Sequence, residues 1–192
     1  MTEINAACII AHPDDETIWM GGTILQKNKW KWAIISLCRA NDKDRAPKFE
    51  RACKIYRAKS VISDLDDEVL QPLELTTVEK KILSVLPEKK YNYIFTHGKT
   101  GEYGHLRHKE IHGAVKSLVR RKKILCKKLL FFSYEKGARK FSIPSEKSDI
   151  FTFLSSIEYK NKISIITKIY GFSKESFESR SCSKKEAFVE SR

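Results

Sequence analysis

Two short stretches of the chain carry side chains that could hold a cation and move a proton. The first is "AHPDDE" at 11–16, where His12 is followed by Pro13 and three consecutive carboxylates, Asp14, Asp15 and Glu16. Adjacent acids repel one another, and beside an apolar segment they are costly to desolvate. The second is "THGKTGEYGHLRHKEIH" at 96–112, which supplies His97, His105, His108 and His112, four of the five histidines in the chain. His105 and His108 are three residues apart and share one face of a helix start. A divalent cation between the stretches would neutralise the acids, and two imidazoles, a carboxylate and an open fourth position make a catalytic zinc arrangement. The five cysteines are scattered, with no CxxC pair, which argues against structural zinc or an iron–sulfur cluster.

Blander readings stand beside this one. Asp14 could be only a helix N-cap, and Glu16 is better read as a solvated acid in a first helical turn. His97 and His112, taken singly, read as structural. His12, Asp15, His105 and His108 resist that treatment, because both stretches are expected to meet at one edge of one sheet.

That expectation comes from the elements that must carry them. "AACIIA" (6–11), "WAIISLC" (32–38), "SVISD" (60–64), "YIFTH" (93–97) and "LLFFSYE" (129–135) read as strands. Helices are expected over 15–28, 47–58 (opening on Pro47), 76–87, 106–121 and 159–172. Alternating strands and helices predict an α/β fold, with a mostly parallel central sheet and helices on both faces. In such sheets ligands bind outside the carboxyl ends of the strands. Both stretches directly follow a strand, so both reach that edge, and the helix N-terminus after the first partly offsets its negative charge.

Length and composition add bounds. The 192 residues, 41% hydrophobic and 10% aromatic, predict a single domain over 1–192 with a substantial core. No apolar run is long enough to span a membrane, and the N-terminus lacks the pattern of a signal peptide. An odd number of dispersed cysteines fits reduced thiols in a cytoplasm. Charge is uneven: 18 Lys/Arg against 16 Asp/Glu over 1–112, but 19 against 8 over 113–192, net +2 and +11. The peak, "KSLVRRKKILCKK" (116–128), has seven cations and no acid. It reads equally as a site for an anionic partner and as a helix end followed by a solvated turn.

At these motifs the sequence resembles the LmbE/PIG-L family, zinc-dependent enzymes that remove acetyl from N-acetylglucosaminyl conjugates. "AHPDDE" is similar to the family's first signature and "GEYGHLRH" (101–108) to its second. The likeness extends through "LCRANDKDRAPKFERA" and the closing "YGFSKESFESR" and "KEAF". The resemblance implies a Rossmann-like three-layer sandwich, and His12, Asp15 and His108 as ligands of Zn2+. It also implies Asp14 as general base and His105 as the group that stabilises the oxyanion or protonates the leaving amine. Arg45 and Asp66 correspond loosely to substrate-binding residues. Several members carry an acid where this chain has Arg107, and a cation there would lower the pKa of His105.

The activity implied is N-deacetylation, giving acetate and a free amino sugar. The substrate would be a small or lipid-linked N-acetylamino sugar, anionic if the basic half contributes. Peripheral membrane contact and a homo-oligomer are compatible with the sequence, and nucleic acid is not expected. Two rivals remain: an anion-binding protein (nucleic acid or lipid headgroup) with a vestigial metal pocket, and a deacylase for another amide.

Overall fold

The computed structural model describes residues 3–137 and 141–191. Its centre is strand β1 (Asn5–Ile10), whose small and β-branched residues are buried on both faces. Ala6, Cys8 and Ile10 enter one core, while Ala7 and Ile9 enter the other. This two-sided burial is the condition of a parallel strand sheltered by helices above and below. The remaining strands are β2 (Lys31–Ser36), β3 (Lys59–Ile62), β4 (Lys90–Thr96), β5 (Leu125–Phe132), β6 (Tyr134–Lys136), β7 (Ser142–Pro144), β8 (Ile150–Phe153) and β9 (Lys185–Glu190). Seven of them form one sheet in the order β3-β2-β1-β4-β5-β9-β8, and β6 with β7 makes a separate hairpin. Strands β1 to β5 pair in parallel, whereas β9 and β8 are antiparallel additions.

Helices α1 (Asp15–Gln26) and α2 (Arg45–Ile55) contribute Ile18, Phe49 and Cys53 to one face. On the other face, α3 (Leu75–Val85) and α4 (Leu106–Arg120) contribute Val78, Ile82, Ile111 and Leu118. The C-terminal helices α5 (Ser156–Ser164) and α6 (Phe177–Ser181) follow, with a π-helical turn over Ile165–Ile169 between them. The expected α/β fold with helices on both sides of a mostly parallel sheet is therefore present. The order reverses at β1, with β2 on one side and β4 on the other, so the crevice at their carboxyl ends is the position such folds use for ligands.

Several boundaries differ from the sequence expectation. Helix α2 begins at Arg45 rather than Pro47, because Oδ1 of Asp42 accepts hydrogen bonds from the Asp44 and Arg45 amides at 2.9 and 2.8 Å. Pro47 sits inside the first turn, where a missing N–H costs nothing. The late helix starts earlier than expected because Ser155 and Glu158 form a capping box. It also ends earlier, passing into the π turn. The expected strand over 129–135 divides into the end of β5 and the start of β6, and β7, β8 and β9 have no counterpart among the expected strands. Strands β6 to β9 are three to six residues long, β6 and β9 carry lysine and glutamate, and the partners of β9 are distant in sequence.

Helix α1 is broken at Met20, whose φ of −149° is not helical. Past the break, the Gly22 and Thr23 amides donate to Glu186 on β9 at 2.8 and 2.7 Å. Lys162 of α5 neutralises that carboxylate at 2.7 Å, and both side chains are fully buried. A Cβ on Gly22 would stand 2.2 Å from the Leu154 side chain, which would have to move to admit it.

Candidate functional site

Strand β1 ends in a turn that bends the chain sharply. Asp14 has φ 111°, a conformation that costs a non-glycine residue on the order of 1–3 kcal/mol and is concentrated at functional sites. The turn is held from below. The Asp14 amide donates to Oε2 of Glu16 at 3.1 Å, and Thr17 and Tyr170 hydroxyls donate to Oε1 at 2.6 and 2.8 Å. Glu16 is thus completely buried rather than the solvated acid expected, and burial pushes its pKa up to about 7. The side chain of Asp14 makes no cap bond, which removes the N-cap reading, and instead meets Arg45 at 2.5 Å. Burial and then the charge of Asp15 push the Asp14 carboxyl well up, with Arg45 and His12 opposing. Asp15 goes the other way: burial opposes its charge, but His108, His97 and His12 outweigh burial. Neighbouring carboxylates driven in opposite directions suit different chemical tasks.

The stretch after β4 is built around an acid the sequence reading passed over, Glu102. Its Oε2 accepts from Nδ1 of His97 at 2.9 Å and from Nδ1 of His108 at 2.6 Å, and all three side chains are inaccessible to solvent. Burial opposes the charge on Glu102, but the two imidazoles outweigh it and hold the pKa at about 2. Nε2 of His97 accepts the Ala11 amide at 2.9 Å and its ring stacks on His108 at 3.7 Å, so His97 is a structural brace. His112 donates from Nδ1 to the His97 carbonyl at 2.9 Å and is likewise structural. Gly101, at φ 68°, allows the loop to close: a Cβ there would lie 2.7 Å from the His105 carbonyl oxygen.

The two stretches converge. Nδ1 of His12, Oδ2 of Asp15 and Nε2 of His108 stand 3.3, 3.4 and 3.2 Å apart. Tetrahedral zinc with bonds of about 2.0–2.1 Å needs donors about 3.3–3.4 Å apart, so these three atoms fit it. Their remaining polar atoms are tied elsewhere. Nε2 of His12 faces Oδ2 of Asp67 at 3.1 Å, Nδ1 of His108 donates to Glu102, and Oδ1 of Asp15 accepts Nε1–H of Trp19 at 2.9 Å. Carboxylates behind metal-bound imidazoles fix the tautomer in this way. The cluster is short of positive charge: Asp15 and Asp67 overcome the burial of His12 and raise its pKa to about 10. Other donor groupings, His12 with His105 and His108 or Asp15 with His97 and His108, also lie close together. In the second, however, Nε2 of His97 is already occupied by the Ala11 amide.

Asp14, Arg45 and His105 line the same cavity of about 270 Å³ as His12 and Asp15. His105 lies edge-on to His12 at 4.7 Å, and its buried Nδ1 has no hydrogen-bond partner among the described residues. Its pKa is lowered to about 4 by burial first and then by His108 and His12. Arg107 is not responsible for that shift. Its buried guanidinium turns away to Asp66 at 2.9 Å and Glu110 at 2.7 Å. That pairing also takes Asp66 out of the cavity, where its neighbour Asp67 stands instead, bonded to Nη2 of Arg39 at 2.7 Å. The C-terminal part adds Phe177 and Glu178 to the lining. The basic run 116–128 occupies the end of α4 and the start of β5, the sheet edge opposite the cavity. Arg121 pairs there with Glu79, and Lys128 with Glu190 at 2.9 Å.

Residues 7–119, more than half of the chain, match the family model described as PIG-L, GlcNAc-PI de-N-acetylase. The chain belongs to the PIG-L family. A curated relative, "Uncharacterized protein L374" of Acanthamoeba polyphaga mimivirus, is 28% identical over 120 residues. That match covers 54% of this chain and 52% of the relative, so the chain spans about half the length of the curated relative it matches. Among solved structures, N,N'-diacetylchitobiose deacetylase from Pyrococcus horikoshii superposes with TM-score 0.70 at 15% identity, over 97% of this chain and 83% of the other. The zinc-inhibited form of teicoplanin deacetylase gives 0.65 at 10% identity, over 97% and 98%. A 4-carboxy-2-hydroxymuconate hydratase from Pseudomonas putida gives 0.63 at 13%, over 97% and 95%. At such identities the likeness is one of fold, and one fold hosts more than one chemistry.

Proposed function

We propose that this PIG-L family chain is a zinc-dependent N-deacetylase acting on an N-acetylglucosamine-containing conjugate, releasing acetate and a free amino sugar. The observation that carries the proposal is the trio of donor atoms from His12, Asp15 and His108, 3.2–3.4 Å apart with every other polar atom tied down. Family membership and two deacetylases among the fold neighbours support the reaction class. The small open cavity suits one sugar ring with a short acyl group better than an extended ligand.

Zinc held by His12, Asp15 and His108 would supply Lewis acidity and lower the pKa of water. Asp14, beside the ligands but directed to Arg45 and the cavity, accepts the proton of the attacking water. Attack on the amide carbon places negative charge on the carbonyl oxygen, and the imidazole of His105, which lines the cavity, is placed to donate to it. The C–N bond then breaks with transfer of a proton to the nitrogen, through His105 or back from Asp14. Arg39 and Arg45 are the cations at the cavity and the candidates for contact with an anionic substrate group; Asp67, rather than Asp66, is the acid beside it. The proposal is tested by zinc analysis together with acetate release from a panel of N-acetylglucosamine conjugates, neutral and phosphorylated. Absence of acetate from every conjugate by zinc-loaded protein would falsify the substrate class.

A further inference from the structure

The hydrogen bond from Trp19 to Asp15 goes beyond the ligand set. A carboxylate can bind a cation through one oxygen or both, and binding through both would take the position a catalytic zinc leaves open. Oδ2 of Asp15 faces His12 and His108 at 3.3 and 3.4 Å and accepts the His12 amide at 2.8 Å. Oδ1 is engaged by Nε1–H of Trp19 at 2.9 Å, one helical turn further along α1.

The indole is held firmly. Trp19 is completely buried, and Tyr134 packs edge-on against it at 5.0 Å. The break in α1 at Met20 contributes as well. In an unbroken helix the Trp19 carbonyl would accept the Thr23 amide. Here that amide donates to Glu186, and the Trp19 carbonyl accepts the Tyr134 hydroxyl at 2.6 Å. Ring and carbonyl of Trp19 are thus both anchored by Tyr134 of β6, while Glu186 of β9 holds the Gly22 and Thr23 amides beyond the break. Both strands lie outside the segment that matches the family model.

We infer that Trp19 is a positioning residue that restricts Asp15 to a single metal-binding oxygen and so keeps one coordination position open. The inference rests on the zinc reading above. Its test uses the whole chain loaded with zinc or with cobalt, and two variants of different chemistry. Trp19→Phe keeps an aromatic ring but removes the donor. Trp19→Gln restores an N–H the same number of bonds from Cβ. Folding of each is checked by circular dichroism without metal. Trp19→Phe is expected to lower zinc affinity about 10–100-fold, the usual effect of losing a partner behind a ligand. Its cobalt form should lose the intense visible bands of four-coordination, and Trp19→Gln should recover both properties in part. Equal affinity and equal cobalt bands in Trp19→Phe and the unmodified protein would overturn the inference and leave Trp19 as packing. Failure of the unmodified protein to take up either metal would overturn the zinc reading itself, a different result.

Discussion

The two edges of the central sheet hold charge in opposite ways. At the carboxyl edge Asp15, Glu102, His97 and His108 have side-chain exposures of 4% or less and contact one another. At the amino edge Lys31 and Glu88 pair at 3.0 Å with exposures of 57% and 40%, and Arg120, Lys122, Lys123 and Lys127 point into solvent. The formal charge of the chain is concentrated in the half that supplies most of those cations, yet their interactions are screened and worth little. Buried charges cannot be left unmatched, so each has drawn a specific partner. Net charge therefore points away from the candidate site, and burial points to it. Of the two readings of the run 116–128, its place favours the helix end followed by a solvated turn, because α4 carries it away from the cavity.

This contrast makes predictions of decreasing size. Asp15→Asn or His108→Ala removes one of three converging donors, and zinc surviving chelator dialysis should fall from about one per chain to almost none. Elemental analysis checks it; full zinc in both variants would refute the ligand set. Asp14→Asn leaves an oxygen for Arg45 but no base, and turnover should fall roughly 10²–10⁴-fold with zinc content unchanged. Near-full turnover at saturating zinc would show that Asp14 does not take the proton. Glu102→Gln keeps the shape but not the charge shared by His97 and His108, and zinc affinity should weaken about 10–100-fold. A competition titration giving the unmodified affinity would place Glu102 outside the machinery. At the amino edge, Lys122→Glu with Lys123→Glu should change stability by no more than about 0.5 kcal/mol. It should leave turnover and its salt dependence alone; a clear drop on phosphorylated conjugates would erase the difference between the edges.

Much of this was legible in the sequence. The apolar runs of β1, β2 and β4 and the amphipathic spacing of α3 and α4 alternate as a parallel α/β sheet requires, because local period and burial agree there. His12, Asp15, His105 and His108 could be grouped because the two stretches that hold them begin at strand ends, which share an edge in such a sheet. The choice of His12, Asp15 and His108 among them came from the resemblance. Tertiary structure decided what stands behind them. Asp67 reaches His12 and Asp66 turns to Arg107, although the two acids are neighbours and no local pattern separates them. Glu102 looked like any loop acid until β4 and α4 buried it between two imidazoles. The tie from Trp19 to Asp15 and the pairing of Arg45, matched only loosely by the resemblance, with Asp14 appear once the chain is packed. Strand β8 is only four residues long and β9 is bounded by charge, so neither announces itself, yet Glu186 on β9 secures the break in α1. The sequence determines which donors lie at one edge because that follows from chain order and strand direction. Which atom of each donor is left free depends on partners dozens of residues away, and only the packed structure brings them into reach.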